Sequence, residues 1–228
     1  MATKKYEIEE FAFIGRTFTE YQQMFDFDPT RWAGKRVLDC PAGSCSFVAK
    51  ARDHGIDAIG ADKMYNRSPA TLSEICAADI ETAMAALDGV EDLYVWEFYD
   101  DISELRAYRE RAASLFLSDY THNGDRYVQT DLPATPFADR AFDLVLSAHF
   151  LFLYDDRLSY EFHLDTVLEL LRISGQLRLF PLHGFDADQS DLVTKLVESS
   201  SQRATPPTSE WSRSNFSVVL TRCWSLSR

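Results

Sequence analysis

The chain has 228 residues and a formal net charge of −13, from 36 acidic against 23 basic side chains. At about 100–200 residues per domain, this is one elaborated domain or two small ones. With 46% apolar and 13% aromatic residues, a buried core is easily supplied, and disorder of the whole chain is excluded. No apolar run approaches the ~20 residues of a membrane helix. The greasiest stretch, Phe142–Tyr154, is broken by Asp143 and His149. The N-terminal lysines are followed by no apolar segment, so no signal peptide is expected and a cytoplasmic location is.

The basic residues comprise 17 arginines and 6 lysines, and no long basic run exists. Phosphate backbones are held by Lys/Arg clusters, so nucleic acid is not an expected partner. Acid-rich, lysine-poor surfaces suit proteins dispersed in concentrated salt, so a halophilic protein is one reading. An ordinary acidic protein is the other. Cys40, Cys45, Cys76 and Cys223 form no C-x-x-C pair. They read as reduced core thiols, and no metal site is expected.

Residues 1–35 read as an N-terminal helical extension, with a helix near Thr19–Phe25. From Arg36 strands and helices alternate. Arg36–Cys40 is a short apolar run ending beside an acid. Gly43–His54 places Phe47, Val48 and Ala51 on one face, and Gly55 stops it. Ile56–Asp62 is a second strand, completing a βαβ unit. Ser68-Pro69 caps a helix that keeps helical spacing to Leu87. Asp101 and Glu104 form a capping-box pattern that opens another helix. Tyr127–Thr130 and Phe142–Ala148 are the next strands. A helix spans about Leu158–Ile173, and Gln176–Phe180 is a fifth strand. A helix near Asp188–Val197 follows, and Phe216–Cys223 is a final strand. The alternation argues for a mostly parallel sheet with helices on both faces.

In such sheets ligands sit beyond the carboxyl ends of the strands. The first strand leads into Asp39-Cys40-Pro41-Ala42-Gly43-Ser44-Cys45, where small residues let a ligand approach the backbone. The second ends at Asp62, 19 residues after Gly43, where a carboxylate can accept ribose hydroxyls. The third leads into Asp131-Leu132-Pro133, then Phe142-Asp143-Leu144-Val145. Together these segments resemble class I S-adenosylmethionine-dependent methyltransferases, over about Lys35 to Pro181.

The resemblance implies a Rossmann-like α/β fold with an antiparallel final strand, a methyltransferase domain over 36–228, and S-adenosyl-L-methionine as cofactor. Carried over, Asp39, Pro41 and Gly43 would hold its methionine end. Asp62 and Lys63 would lie at the ribose, and Asp131 with Leu132 at the adenine. Arg16 and Tyr21 could reach over the cofactor carboxylate. Two glycines of the family's Asp/Glu-x-Gly-x-Gly-x-Gly loop are replaced here, by Pro41 and Cys45.

His149, after the fourth strand, is the expected catalytic base, with His183 behind it. The alternative for His149 is a hydrogen-bonded ring in an aromatic wall. No Asn/Asp-Pro-Pro-aromatic tetrapeptide or Pro-Cys follows the fourth strand, so base methylation of nucleic acid is disfavoured. The expected reaction is methyl transfer to a small molecule. RNA or protein methylation and a non-catalytic binding module are the alternatives. The 64 residues between Asp62 and Tyr127 exceed what one crossover needs. Residues 90–124 therefore read as a helical, aromatic insertion, either a lid or packing.

Overall fold

A computed structural model describes residues 11–87, 98–184 and 190–203. The short apolar runs form β1 (Arg36–Asp39), β2 (Asp57–Asp62), β3 (Tyr127–Gln129), β4 (Leu144–Ala148) and β5 (Leu177–Phe180). They build one sheet in the order β3-β2-β1-β4-β5, with every neighbouring pair parallel. The helices are α1 (Phe18–Met24), α2 (Phe47–Ala51), α3 (Pro69–Leu87), α4 (Ile102–His122), α5 (Tyr160–Arg172) and α6 (Leu192–Arg203).

Successive strand side chains point to opposite faces. Val37, Leu144 and Leu146 join a core with α1, α2, α3 and α4. Leu38, Val145, Leu177 and Leu179 join a second core with α5 and α6. Both faces are therefore covered, which is why these strands read as unbroken apolar runs rather than alternating ones.

Local chemistry sets the helix starts. The Ser68 hydroxyl accepts from the Thr71 N–H at 3.1 Å. The Asp101 carboxylate accepts from the Glu104 N–H at 2.8 Å. Thr17 and Glu20 form a reciprocal capping box at α1, a device that the sequence pattern of the extension also contains.

The described part of the insertion is packing. Phe116 on α4 is fully buried and stacks on Tyr65 at 5.6 Å between ring centroids. The Tyr120 hydroxyl donates to the Tyr65 carbonyl at 2.9 Å. Residues 88–97, where the aromatic run before it lies, are outside the described residues.

The helix near Asp188–Val197 starts later, at Leu192. Ser190 is drawn back by its N–H bond to the Leu182 carbonyl, and its hydroxyl accepts from the Leu192 N–H. The expected antiparallel final strand at Phe216–Cys223 lies outside the described residues. The last strand that is described, β5, runs parallel to β4, because α5 returns the chain to the same end of the sheet.

Candidate functional site

The strand order reverses between β1 and β4, so a crevice opens at their carboxyl ends. A cavity of about 970 Å³ fills that crevice and extends across the ends of β2 and β3.

Its floor is the turn after β1. Gly43 sits at φ 52°, a left-handed conformation that glycine adopts without strain. Its N–H donates to Asp62 Oδ2 at 2.9 Å, and its carbonyl accepts from the Tyr65 hydroxyl at 2.6 Å. Asp62 Oδ1 accepts from the Met64 N–H at 2.9 Å. Asp62 thus ties the turns after β1 and β2 together. Burial raises its carboxyl above the usual value, while the two N–H donors and Lys63 oppose that shift. Each oxygen keeps acceptor capacity for a ligand hydroxyl. Pro41, Gly43, Asp62 and Lys63 all line the cavity.

Asp131 and Leu132 line the cavity after β3, with Asp131 exposed. Their loop is tied to α5. Glu169 Oε1 accepts from the Thr135 N–H at 3.0 Å and from its hydroxyl at 2.5 Å. Arg172 donates to the Phe137 carbonyl at 2.9 Å.

His149 lines the cavity after β4. It holds φ 53°, uncommon for a residue with a side chain, while its N–H donates to the Phe180 carbonyl at 2.6 Å. Its Nδ1 is buried with no hydrogen-bond partner among the described residues. Burial, then Arg16, Arg109 and His183, push the imidazole well below its ordinary value. The ring is therefore neutral near neutral pH. That makes it a hydrogen-bond acceptor more than a strong base. His183 bonds the Gly184 carbonyl through Nδ1 and is not in the lining.

Asp39 is not brought to the cavity. It is fully buried, and both carboxylate oxygens accept from the Tyr21 hydroxyl at 2.9 Å. The side chain of a strand-end residue goes to one face or the other, and here it faces α1. Tyr21 is accordingly engaged below the cavity floor, whereas Arg16 does line the cavity.

The sequence pointed only to Arg16 in the segment that spans the cavity. Residues 11–16 form a strap across it, with Phe11, Phe13, Ile14 and Arg16 in the lining. The Ala12 N–H donates to the Tyr154 hydroxyl at 3.2 Å, and the Phe13 N–H to Asp79 Oδ2 at 2.6 Å. The Ser44 hydroxyl donates to the Phe13 carbonyl at 3.2 Å. Gly15 lies so close to the β1 turn that a Cβ there would meet the Ser44 carbonyl oxygen at 2.0 Å. Cys45 accepts the Arg16 N–H on its sulfur at 3.2 Å. The signal was the apolar run Phe11–Ile14 just before Gly15 and the capping box.

Arg16 has an unusual charge environment. Glu20 Oε1 is bonded by Arg109 at 2.5 Å and by the Tyr99 hydroxyl, and Oε2 by Thr17. Arg16 Nε lies 3.8 Å from that same carboxylate. Two guanidinium groups therefore share one carboxylate, which leaves positive charge at the cavity wall.

No protein-family model matches the chain, and no solved structure does. It is 32% identical over 216 residues to the uncharacterized protein MJ0045 of Methanocaldococcus jannaschii, covering 94% of this chain and 97% of that one. At that identity over nearly the full length of both proteins, the chain belongs to the same family as the Methanocaldococcus protein.

Proposed function

We propose that the protein is an S-adenosylmethionine-dependent methyltransferase acting on a small-molecule acceptor. The observation that carries this reading is the Asp62 carboxylate. It ends β2, holds the Gly43 N–H of the β1 turn at 2.9 Å, and opens onto the cavity where the strand order reverses. A carboxylate so placed is suited to the hydroxyls of a ribose.

The residues present fit the cofactor's chemistry. Asp62 accepts from the ribose. Asp131 accepts from the adenine amino group, and Leu132 packs on the ring. Pro41 and Gly43 shape the wall at the methionine end. Arg16, with its carboxylate shared, is the partner for the cofactor's own carboxylate. Lys63 stands beside Asp62 with its ammonium 5.6 Å from the Phe11 ring centroid. When bound, S-adenosylmethionine supplies a methyl group activated on a sulfonium. The chain orients the acceptor, excludes water with the strap, and keeps His149 neutral to accept a hydrogen bond.

Calorimetry tests the reading. S-adenosylmethionine is expected to bind the full chain, and no binding at millimolar cofactor would overturn the proposal. Asp62→Ala is expected to weaken binding by about tenfold or more, the scale of a lost hydrogen bond to a charged group. Unchanged affinity would remove Asp62 from the site.

A further inference from the structure

One wall of the cavity is not assigned to the cofactor. Phe150 and Tyr154 follow β4, Phe162 lies on α5, and Phe11 reaches them from the strap. Ring centroids are 4.8 Å apart for Phe11 and Tyr154, 5.8 Å for Phe11 and Phe150, and 6.2 Å for Phe150 and Phe162. The rings touch one another, so a ligand lies against them rather than between them. Their tilted faces and edges match the edge and face of another ring better than an alkyl chain.

His149 adjoins this wall in sequence and also lines the cavity. Its ring stands edge-on to Phe180 at 5.3 Å. Nδ1 is enclosed, so a ligand reaches the part-exposed ring from the cavity side, at Nε2. The left-handed backbone at His149 adds strain at the same position, and such strain gathers at ligand sites.

We propose that the aromatic wall and His149 form the acceptor subsite, and that the acceptor is a flat aromatic molecule carrying a hydroxyl group, a phenol, whose O–H donates to the His149 imidazole. This deepens the methyltransferase reading and rests on it for the term acceptor. Neutrality of the imidazole suits it to receiving that hydrogen.

Three probes separate ring from hydroxyl: 4-nitrophenol, 4-nitrotoluene and cyclohexanol. Each is titrated calorimetrically into the full chain on the acid side of neutrality, where 4-nitrophenol keeps its proton, with and without S-adenosylhomocysteine. We expect 4-nitrophenol to bind about tenfold tighter than either of the others, the scale of one satisfied buried donor. Equal affinity for all three would overturn the proposal.

Two variants locate the subsite. Phe150→Leu is expected to weaken both aromatic probes several-fold while leaving S-adenosylhomocysteine affinity unchanged. His149→Gly, for which φ 53° is unstrained, is expected to erase the preference for 4-nitrophenol over 4-nitrotoluene. A preference that survives His149→Gly overturns the assignment of the hydroxyl to His149.

The two readings fail separately. Phenol binding without cofactor binding would sink the methyltransferase reading and leave the pocket standing. Cofactor binding without phenol preference would sink the pocket alone.

Discussion

Asp39 and Asp62 both end parallel strands beside the same turn, yet their surroundings make them different groups. Asp62 bonds two backbone N–H groups and faces the cavity. Asp39 is fully buried against Tyr21, and burial raises its carboxyl well above 3.8, with Asp62 adding to the rise and the Tyr21 bond opposing it. A raised carboxyl favours the fold when protonated. Its contribution is complete below 3.8 and is lost as pH rises through the folded value. Asp39→Asn cannot ionise, so the variant should gain stability over the parent as pH rises toward neutrality. Urea unfolding across pH checks this, and parallel profiles would refute it. S-adenosylmethionine affinity should not change in Asp39→Asn.

Glu20 has the opposite sign. Burial alone would raise it, but Arg109 and Arg16 hold it below 4.5. Its stabilisation is present above 4.5 and is lost as pH falls through the folded value. Glu20→Gln leaves the buried Arg109 guanidinium, and the part-buried one of Arg16, without a counter-charge. A loss of about 3–5 kcal/mol in unfolding free energy is expected. A loss below ~1 kcal/mol would place Glu20 with exposed pairs instead.

Among the elements, the strap lines the cavity while α4 packs against the core. The strap is held by contacts from α3, from the β1 turn and from Tyr154. Gly15→Ala places a methyl where only 2.0 Å separates it from the Ser44 carbonyl oxygen, so strap and turn must part. Weaker S-adenosylmethionine binding is expected, with a modest fall in Tm because α1 and the sheet keep their packing. A variant that binds cofactor like the parent would show that the strap is not part of the site. Phe116→Ala on α4 should cost about 3–5 kcal/mol and leave the cofactor affinity of the remaining folded protein intact, since no described residue of 98–124 lines the cavity.

For the whole molecule, the charge of −13 falls on a two-faced α/β sandwich whose cores are apolar. Among the described residues the acids other than Glu20, Asp39 and Asp62 reach the surface, and they repel one another. Salt screens that repulsion within ~10 Å at 0.1 M and ~3 Å at 1 M. Unfolding free energy is expected to rise with KCl toward molar concentration. A flat or falling profile would remove the halophile reading and leave an ordinary acidic protein. Among the described residues no helix is long and apolar enough to cross a membrane.

The sequence by itself determined the alternation of strands and helices, the α/β class and the starts of α1, α3 and α4. It did so because periodicity and caps are local: Ser68, Asp101 and Gly55 act within a few residues of themselves. It also brought out Pro41, Gly43, Asp62, Lys63, Asp131, Leu132 and His149, because strand ends on one sheet edge must converge wherever the strands are parallel. Tertiary structure alone decided which face each side chain took. Asp39 looked equivalent to Asp62 in the sequence, but it points at α1. Arg16 reaches the cavity and Tyr21 does not. The strap over residues 11–16 shows in the sequence only as a short apolar run and Arg16, because its anchors lie 29 to 142 residues away. Long-range hydrogen bonds and the close approach at Gly15 leave no local periodicity to read, and they are what close the site.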